Sequence, residues 1–406
     1  MKILQKAAFK DTVSQGRSFL KTVEARRYTL KVVEYNPVRV GVIRSSSIGD
    51  VVLASSCISL LRAAIPEGKI YWMGRAPSLS LIQAAFPDIE CLDMARTVKI
   101  QEMLLFLKDV DFLVDLQTNL RSKIIAHAFK NRFRKPIFSC PKNQLQRNRL
   151  VLEGRIYGRR RSLPSRALEP LKPQYQLMRD TLLSALQSAK LLAKDYKMPS
   201  GIVPAIPVAH YKGDGDKLSG LSTKRWIAVA PGASYEAKRA PLEVFVEAFQ
   251  ILKSFSDVPL DLGLVLLGDA NDERICEEFA EKLGWQGPVI NFAGKLSLWE
   301  NAVMLQRAAI CLVCNDSALG HIAEAVETPV LVLFGPTVEG FGFAPRMSES
   351  RAFSSRLGCR PCSKHGKAPC RFGDKLCFWE ISRSEIADHM KGLIMKTTQE
   401  RPLTNI

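Results

Sequence analysis

One segment of the chain, residues 310–337, carries the pattern strand, tight loop, helix, strand. The apolar run Ile310–Cys314 leads into the short loop Asn315–His321, and helical spacing continues through Ile322–Val326. A second apolar run, Pro329–Phe334, follows and ends in the turn Gly335–Thr337. Two apolar runs joined through a helix are typical of buried strands in an α/β sheet.

The helix in this segment opens with small side chains, so its free backbone N–H groups and the positive end of its dipole are uncovered. Such a helix start binds anions, and a diphosphate is its natural ligand. Ser317 and His321 are four residues apart and therefore line the same helix face, beside the predicted anion. Asp316 and Ala318 belong to the same turn.

The same alternation recurs in both halves of the chain. We predict strands at residues 38–44, 70–73, 112–116, 226–230, 262–267, 289–292 and 310–314, with helices at 51–65 and 272–283. A stretch rich in Pro and Gly between Lys194 and Lys224 predicts a linker. The predicted fold class is α/β, with two doubly wound, Rossmann-like domains facing a central cleft. The predicted boundaries are a basic extension at 1–36, domains at 37–205 and 206–380, and a C-terminal helix at 381–406, interpreted as packing back on the first domain.

Composition supports full cores and an anionic partner. The 406 residues are 47% hydrophobic, which excludes a disordered chain, and the formal net charge is +18. We find no apolar stretch of signal-peptide or membrane-spanning length, so we expect a cytoplasmic protein whose ten cysteines are mostly thiols.

Basic side chains crowd the region between residues 121 and 169, where only Glu153 and Glu169 oppose them, and also residues 1–36. Each one singly is compatible with a solvated surface, but the clustering favours an acidic acceptor or the surface of the inner membrane. RNA binding is the rival interpretation. No aromatic-interleaved RNA-binding motif accompanies the charge, so no nucleic acid is expected as a partner.

Three post-strand loops carry candidate chemistry. Ser46–Asp50 follows the first strand, at the sheet edge where ligands bind in open α/β folds, although Asp50 acting only as a helix cap would also explain its position. Ala230–Arg239 offers small residues, the Ser234 hydroxyl and the Lys238 ammonium to a phosphate. An ordinary βα loop with surface cations is the alternative. Leu267–Glu273 places Asp269 after a strand, where a carboxylate can accept hydrogen bonds from ribose; helix capping by Asn271 or Asp272 is the alternative.

Four cysteines lie close together near the C-terminus, at Cys359, Cys362, Cys370 and Cys377, with His365 between them. The spacing suits a structural zinc site. A mixed ligand set that includes His365, an iron–sulfur cluster and plain reduced thiols are the alternatives.

Taken together, these segments resemble glycosyltransferase family 9, the heptosyltransferases that build the inner core of lipopolysaccharide. The resemblance runs from about Val38 to about Ile386 and is carried by Ile43–Val52, Asp115–Ser122, Ala230–Ser234 with Lys238-Arg239, Asn315–Ser317 with His321, and Phe334–Thr337. It implies a GT-B fold and inverting, metal-independent transfer. It also implies an ADP-heptose-type donor and a lipid-linked saccharide acceptor at the inner face of the membrane.

The family's site residues transfer by position. The resemblance places the base on Asp50 and the diphosphate-contacting lysine on Lys238. The donor loop falls on Asp316, Ser317, Ala318 and His321, with Ala318 where the family commonly has Gly. The acceptor-side motifs match Arg44, Gln117 and Arg121.

The resulting hypothesis is chemically consistent. An aspartate can take the acceptor proton late in the reaction, while a helix N-terminus and a lysine hold the leaving diphosphate without a metal. Two other functions stay open, namely a non-catalytic protein that binds nucleotide sugars or acidic glycans, and a GT-B sugar epimerase. Turnover that requires both donor and acceptor distinguishes the transferase from either.

Overall fold

The computed structural model describes residues 37–169, 172–211, 217–218, 221 and 226–400. The basic extension predicted at residues 1–36 therefore lies outside the described residues. Within the described ranges, no helix combines the length and the apolar character needed to cross a membrane.

Eleven strands and thirteen α-helices alternate along these ranges. The strands are β1 (Arg39–Ile43), β2 (Lys69–Gly74), β3 (Glu90–Asp93), β4 (Phe112–Asp115), β5 (Ile137–Ser139), β6 (Trp226–Ala230), β7 (Gly263–Leu266), β8 (Val289–Asn291), β9 (Ala309–Asn315), β10 (Val330–Phe334) and β11 (Arg351–Ser354). The helices are α1 (Ile48–Ala64), α2 (Ser78–Ala85), α3 (Ile100–Phe106), α4 (Leu120–Phe133), α5 (Gln144–Tyr157), α6 (Ser165–Leu168), α7 (Gln174–Ser188), α8 (Leu242–Ser254), α9 (Glu273–Leu283), α10 (Leu298–Ala308), α11 (Ala318–Ala325), α12 (Leu376–Trp379) and α13 (Arg383–Glu400).

The strands form two parallel sheets with the order of a doubly wound fold. The first sheet runs β3-β2-β1-β4-β5 and the second runs β11-β10-β9-β6-β7-β8. In each sheet the strand order reverses beside the first strand, between β1 and β4 and between β6 and β9, and ligands bind at such switch points. The predicted fold class is confirmed, and each of the eight predicted strands, with Pro329–Phe334 included, is present within a residue or two of its expected bounds.

The two sheets share part of their core. One buried apolar cluster contains Val42 and Trp72 of the first sheet together with Ala228 and Leu312 of the second. The bridge runs through helices, because α1 packs against α11 and α2 packs against α10. This apolar contact holds the two switch points on either side of one cleft.

The C-terminal helix packs differently from the expectation. The main contacts of α13 are with α8 and β9. Its side chains Ile386, Met390 and Ile394 recur every four residues and join the buried cluster that contains Phe245 of α8. The helix therefore completes the second sheet's outer layer instead of returning to the first domain, because the apolar face of α8 needs a cover.

Candidate active site

A cavity of about 620 Å³ lies where the carboxyl ends of the two sheets face each other. Its wall contains residues from both halves of the chain. Of the residues predicted from sequence, the cavity brings together Arg44, Asp50, Gln117, Ser234, Lys238, Asp316, Ser317, Ala318 and His321. The arrangement therefore unites a carboxylate from the first half with the predicted phosphate loop of the second.

Asp50 is fixed through only one of its two oxygens. It lies in the first turn of α1, where Ser47 is the N-cap residue. The oxygen Oδ2 accepts hydrogen bonds from Ser47 N (3.2 Å) and Ser47 Oγ (2.8 Å) and pairs with Arg44 Nη2 at 2.7 Å. All three of these contacts with described residues are made by Oδ2. The other oxygen, Oδ1, is therefore left for a ligand in the cavity.

The surroundings of Asp50 keep it ionised. Burial by itself raises the pKa of this carboxyl, but the Arg44 guanidinium and the hydrogen bonds from Ser47 outweigh burial, so the pKa is below its ordinary value. Asp50 is thus a carboxylate at neutral pH, and both the cap and the base interpretations of its position are structurally compatible.

The loop that carries Arg44 and Asp50 is held by the end of the neighbouring strand. Gln117 Oε1 accepts hydrogen bonds from Ser45 N (2.9 Å) and Ser46 N (3.2 Å). Gln117 is itself oriented by the fully buried Asp115, whose carboxylate accepts from Gln117 N at 3.0 Å. Asp115 lies at the end of β4, and its organising role is not apparent from the sequence pattern.

In the second half, a buried amide joins two loops. Asn315 ends β9, and its Nδ2 donates to Pro231 O at 2.7 Å while its Oδ1 accepts from Ala240 N at 3.0 Å. The loop that carries Lys238 is thereby tied to the start of α11. Lys238 Nζ lies 2.6 Å from Asp316 Oδ2, which also accepts from Thr337 Oγ1 at 2.7 Å.

The Asp316 carboxyl is ionised as well. Burial raises its pKa. The Lys238 ammonium and the hydrogen bonds from Lys238 and Thr337 lower the pKa by more than burial raises it, so the net shift is downward. An anionic ligand that enters beside Lys238 would compete with Asp316 for the ammonium.

The start of α11 is open to the cavity. Ser317 is its N-cap residue, but its buried hydroxyl makes no capping bond to the helix. The first-turn amides therefore lack a side-chain cap from Ser317, which is the geometry that the predicted anion site requires. Further along the same face, burial lowers the pKa of His321, against the nearby carboxylates Asp316, Glu324 and Asp50.

Two predicted site residues lie away from the cavity wall. Arg121 Nη2 donates to Met94 O at 2.8 Å and to Thr97 O at 3.2 Å, and so fastens α4 to the loop after β3. Asp269 Oδ1 accepts from Asn271 N at 2.7 Å and caps the turn before α9. Asp272, one of the two residues that the capping alternative named, is the N-cap residue of α9, and its Oδ2 accepts from Asp269 N at 3.2 Å.

The four cysteines surround a separate, small cavity of about 20 Å³, which is lined by Cys359, Cys362, Cys370 and Cys377. Burial raises the pKa of the Cys377 thiol to about 12 and also raises that of Cys362, so both are thiols in this environment. Among the residues that the structure describes, no group of three or more Cys, His, Asp or Glu side chains is placed to hold a metal ion. The zinc site stays a prediction.

Sequence inspection did not single out several cations of the cavity wall. They are Lys142, Arg147, Lys364 and Lys367; the wall also includes His365, which the sequence offered only as a possible metal ligand. Lys142 and Arg147 belong to the basic region noted above, but nothing in the pattern separates them from the exposed cations around them. The other three come from the cysteine-rich segment.

The chain is similar to known proteins both in sequence and in structure. The family model for glycosyltransferase family 9 (heptosyltransferase) matches residues 169–371, half of the chain. The chain belongs to glycosyltransferase family 9.

Curated relatives in this family match over a limited stretch. Lipooligosaccharide heptosyltransferase 2 of Haemophilus influenzae is 36% identical over 120 residues, 29% of this chain and 33% of the relative. Lipopolysaccharide heptosyltransferase 2 of Salmonella typhimurium is 36% identical over 126 residues, 30% and 34% of the two chains. The matched stretch thus spans about a third of each relative.

Solved structures match over nearly the whole chain. The structure of E. coli ADP-heptose lps heptosyltransferase II aligns with a TM-score of 0.60 at 20% identity, covering 90% of this chain and 100% of that one. A glycosyltransferase family 9 structure from Veillonella parvula aligns with a TM-score of 0.62 at 16% identity, covering 88% and 97%. At these identities the likeness establishes the shared fold.

Proposed function

We propose that this family 9 protein is an inverting glycosyltransferase that moves a heptose-type sugar from an ADP-sugar to a lipopolysaccharide inner-core acceptor. One observation carries the proposal: Asp50, Lys238 and Ser317 line the same cavity, although they come from different halves of the chain. The donor class is extended from the E. coli relative, whose name includes ADP-heptose.

In the proposed reaction, Asp50 Oδ1 accepts a hydrogen bond from the attacking hydroxyl of the acceptor. The hydroxyl oxygen forms a bond to the anomeric carbon as the bond from that carbon to the diphosphate oxygen breaks. The electron pair leaves with the diphosphate, and the proton passes to Asp50. Because the pKa of Asp50 is low, the proton moves late, when the attacking hydroxyl has become acidic.

The diphosphate is held by the second half of the cavity. Its negative charge grows as the bond breaks, and preorganised donors stabilise such developing charge. Lys238 and the open N-terminus of α11, with the Ser317 hydroxyl, are placed to supply these donors. Lys238 then exchanges Asp316 for the diphosphate, while Thr337 continues to hold Asp316. In this proposal these groups take the place of a catalytic metal.

The decisive experiment measures ADP release from ADP-heptose with and without a heptose-deficient, lipid-linked core saccharide. Asp50→Asn should lower kcat by about 10²–10⁴-fold and leave ADP binding intact, since general-base catalysis contributes about that factor. Asp88→Asn is the matched control, because Asp88 also pairs with an arginine, Arg62, but at the surface. Thermal unfolding of both variants checks that the fold survives.

Other outcomes of these assays contradict the proposal in distinct ways. Retained turnover in Asp50→Asn removes the base role. Donor conversion without acceptor indicates an epimerase, and ADP-sugar binding without any turnover indicates a binding protein. These two outcomes replace the transferase proposal with one of its alternatives.

A lipid-linked acceptor also requires a surface that approaches the membrane, and we place it on α5. The inward face of this helix buries Leu150, Val151 and Gly154. Its outward face exposes Leu145, Leu152 and Ile156, which are 86%, 57% and 64% accessible. Their spacing of seven and four residues puts all three on one stripe.

Cations accompany this stripe, as expected for a helix that lies on anionic lipid. Arg149 and Arg155 belong to α5 itself, and Gln144 at its start lines the cavity. The same helix thus connects the outer surface to the proposed acceptor side. The reaction is accordingly proposed for the cytoplasmic face of the inner membrane, with the protein bound peripherally.

Vesicle sedimentation tests this surface. Leu152→Ser combined with Ile156→Ser should weaken binding to anionic vesicles by about tenfold or more, given about 1.5–3 kcal/mol for each buried aliphatic side chain. Leu260→Ser is the control, because Leu260 is an even more exposed leucine (79%) on the loop before β7, away from α5. Equal loss in the control, or no loss in the double variant, contradicts this part of the proposal.

The structural zinc remains a separate proposal for the four cysteines. This proposal predicts one zinc ion per chain in elemental analysis and a lower melting temperature after the metal is removed by a chelator. A metal-free preparation that is equally stable contradicts it.

A further inference from the structure

The cavity contains more positive charge than its own carboxylates neutralise. Its wall includes six Lys and Arg side chains and two carboxylates, Asp50 and Asp316. Arg44 pairs with Asp50 and Lys238 pairs with Asp316. Four cations are left over: Lys142, Arg147, Lys364 and Lys367.

The surplus cations have neutral partners. Lys142 Nζ donates to Thr118 O at 3.0 Å, and Lys364 Nζ donates to Gln144 Oε1 at 3.2 Å. Lys367 Nζ lies over the Tyr235 ring, 5.7 Å from its centroid. Within the described part of the chain, none of these lysines has a carboxylate within ion-pair distance.

Arg147 is the most enclosed of the four. Its Nη2 donates to Gln174 Oε1 at 2.9 Å and to Phe341 O at 2.8 Å. Its guanidinium lies 5.0 Å from the centroid of the Phe343 ring. Its Nε is buried and has no partner among the described residues.

Taking a cation out of water costs free energy, which an opposite charge can offset. Burial lowers the pKa of Arg147, and the distant Asp50 carboxylate only partly opposes this effect. Burial also lowers the pKa of Lys142. Arg147 is therefore under-compensated until an anion enters the cavity, whereas Lys142 is exposed and adds a second positive charge, without an ion-pair partner among the described residues, to the same wall.

Two separate parts of the chain build this cluster. Lys142 and Arg147 flank the start of α5, whereas Lys364 and Lys367 lie in the cysteine-rich loop. The loop is docked on α5 and on the turn that follows it: Arg371 Nη1 donates to Arg155 O of α5 at 2.6 Å, and Arg159 of the turn pairs with Asp374 at 2.5 Å. A Cβ at Gly154 would lie 2.8 Å from Pro361 O, so the contact is close-packed.

We infer that Lys142, Arg147 and Lys364 form a second anion site, distinct from the diphosphate cradle, that holds a phosphate or carboxylate group of the acceptor saccharide. The inference rests on the proposed function, because it takes Lys238 and α11 as the donor's place. It assigns the cysteine-rich loop a part in acceptor binding, because that loop supplies Lys364 and, beside it, Lys367.

The binding experiment uses the full chain saturated with ADP, so that the donor cradle is filled. Melting temperature is followed while inorganic phosphate, acetate or chloride is added at matched ionic strength. We expect phosphate to raise the melting temperature of the ADP-bound protein. The increase should vanish in Lys142→Gln combined with Lys364→Gln and persist in Lys194→Gln, since Lys194 is exposed and does not line the cavity.

The additions of phosphate and of acetate distinguish the two kinds of anionic group that the site could bind. A response to phosphate alone assigns the site to a phosphorylated acceptor, and an equal response to acetate assigns it to a carboxylate. Phosphate that competes with ADP, or a response that survives in the double variant, overturns the inference. If ADP itself does not bind, the proposed function fails, and the phosphate arm without ADP still tests the second site.

The kinetic arm measures both substrates. The double variant should raise the acceptor KM by about tenfold or more, because charge-assisted hydrogen bonds to the acceptor are lost, with the donor KM unchanged. An acceptor stripped of its phosphate and carboxylate groups should bind wild type and double variant equally. A change confined to the donor KM contradicts the assignment.

Discussion

Gly49 lies directly against the ring of His321. A Cβ built at Gly49 would be 2.6 Å from His321 Cδ2, closer than real side chains approach. The contact joins the first turn of α1 to α11 and so sets the separation between Asp50 and the phosphate cradle. The absent side chain at Gly49 is thus a condition for the two halves of the site to meet.

Gly49→Ala should therefore destabilise the protein by about 1–3 kcal/mol, the usual cost of overpacking, and lower activity together with stability. Unfolding in denaturant and ADP release measure the two effects. In a His321→Ala background the added methyl has room, so the same change should cost less. Equal cost in both backgrounds contradicts the contact.

Arg44 should govern the acidic limb of the pH–rate profile. Because Arg44 lowers the pKa of Asp50, Arg44→Gln should raise that pKa, and activity should be lost at a higher pH as the carboxylate is protonated. The expected displacement is about one to two pH units, typical of removing an adjacent opposite charge. Arg62→Gln, which breaks the surface pair with Asp88, should leave the profile in place. An unshifted limb in Arg44→Gln contradicts the pairing or the base role.

Ser317 and Ser297 should behave in opposite ways. Ser317→Ala should weaken ADP binding by about five- to tenfold, the value of one hydrogen bond, with little loss of stability because its hydroxyl caps no amide. Ser297 Oγ accepts from Glu300 N at 3.2 Å and caps α10, so Ser297→Ala should cost about 1 kcal/mol of stability and leave ADP binding unchanged. Calorimetric titration and thermal unfolding of both variants decide between these roles.

His321 should make stability depend on pH. Its pKa in the folded protein is below the unfolded value of about 6.5, chiefly through burial. As pH falls, the unfolded chain binds the proton first, so the stability that is complete above about pH 6.5 is lost as pH falls through the folded pKa. The groups that face it are Asp316, Glu324, Asp50 and Lys238.

The free energy of unfolding should accordingly decrease between about pH 7.5 and 5.5, and decrease less in His321→Asn. Burial also lowers the pKa of His365, which acts in the same direction and leaves a residual slope. Identical slopes for wild type and His321→Asn contradict the buried, neutral state of His321.

Much of the fold and half of the site follow from local pattern. The strand Trp226–Ala230 was predicted with its observed bounds, because a continuous apolar run before a Pro-Gly turn has few other structures available. Asp50 and Ser317 were predicted because both follow strands that end at a switch point, where the backbone itself creates the ligand site. Arg121 was named only through the family resemblance, and its long side chain turns away to the Met94 carbonyl.

Tertiary contact decided the rest. The sequence by itself determined where the predicted strands lie and that strands and helices alternate as in a parallel α/β fold, because these depend on neighbours along the chain; it also predicts an anionic ligand at the post-strand loops. Which cations enter the cavity depended on how α5 meets the cysteine-rich loop, more than 200 residues later, as in the bond from Lys364 to Gln144. Composition cannot distinguish those cations from their neighbours along the chain, since a shared cavity wall arises only when the distant segments pack together.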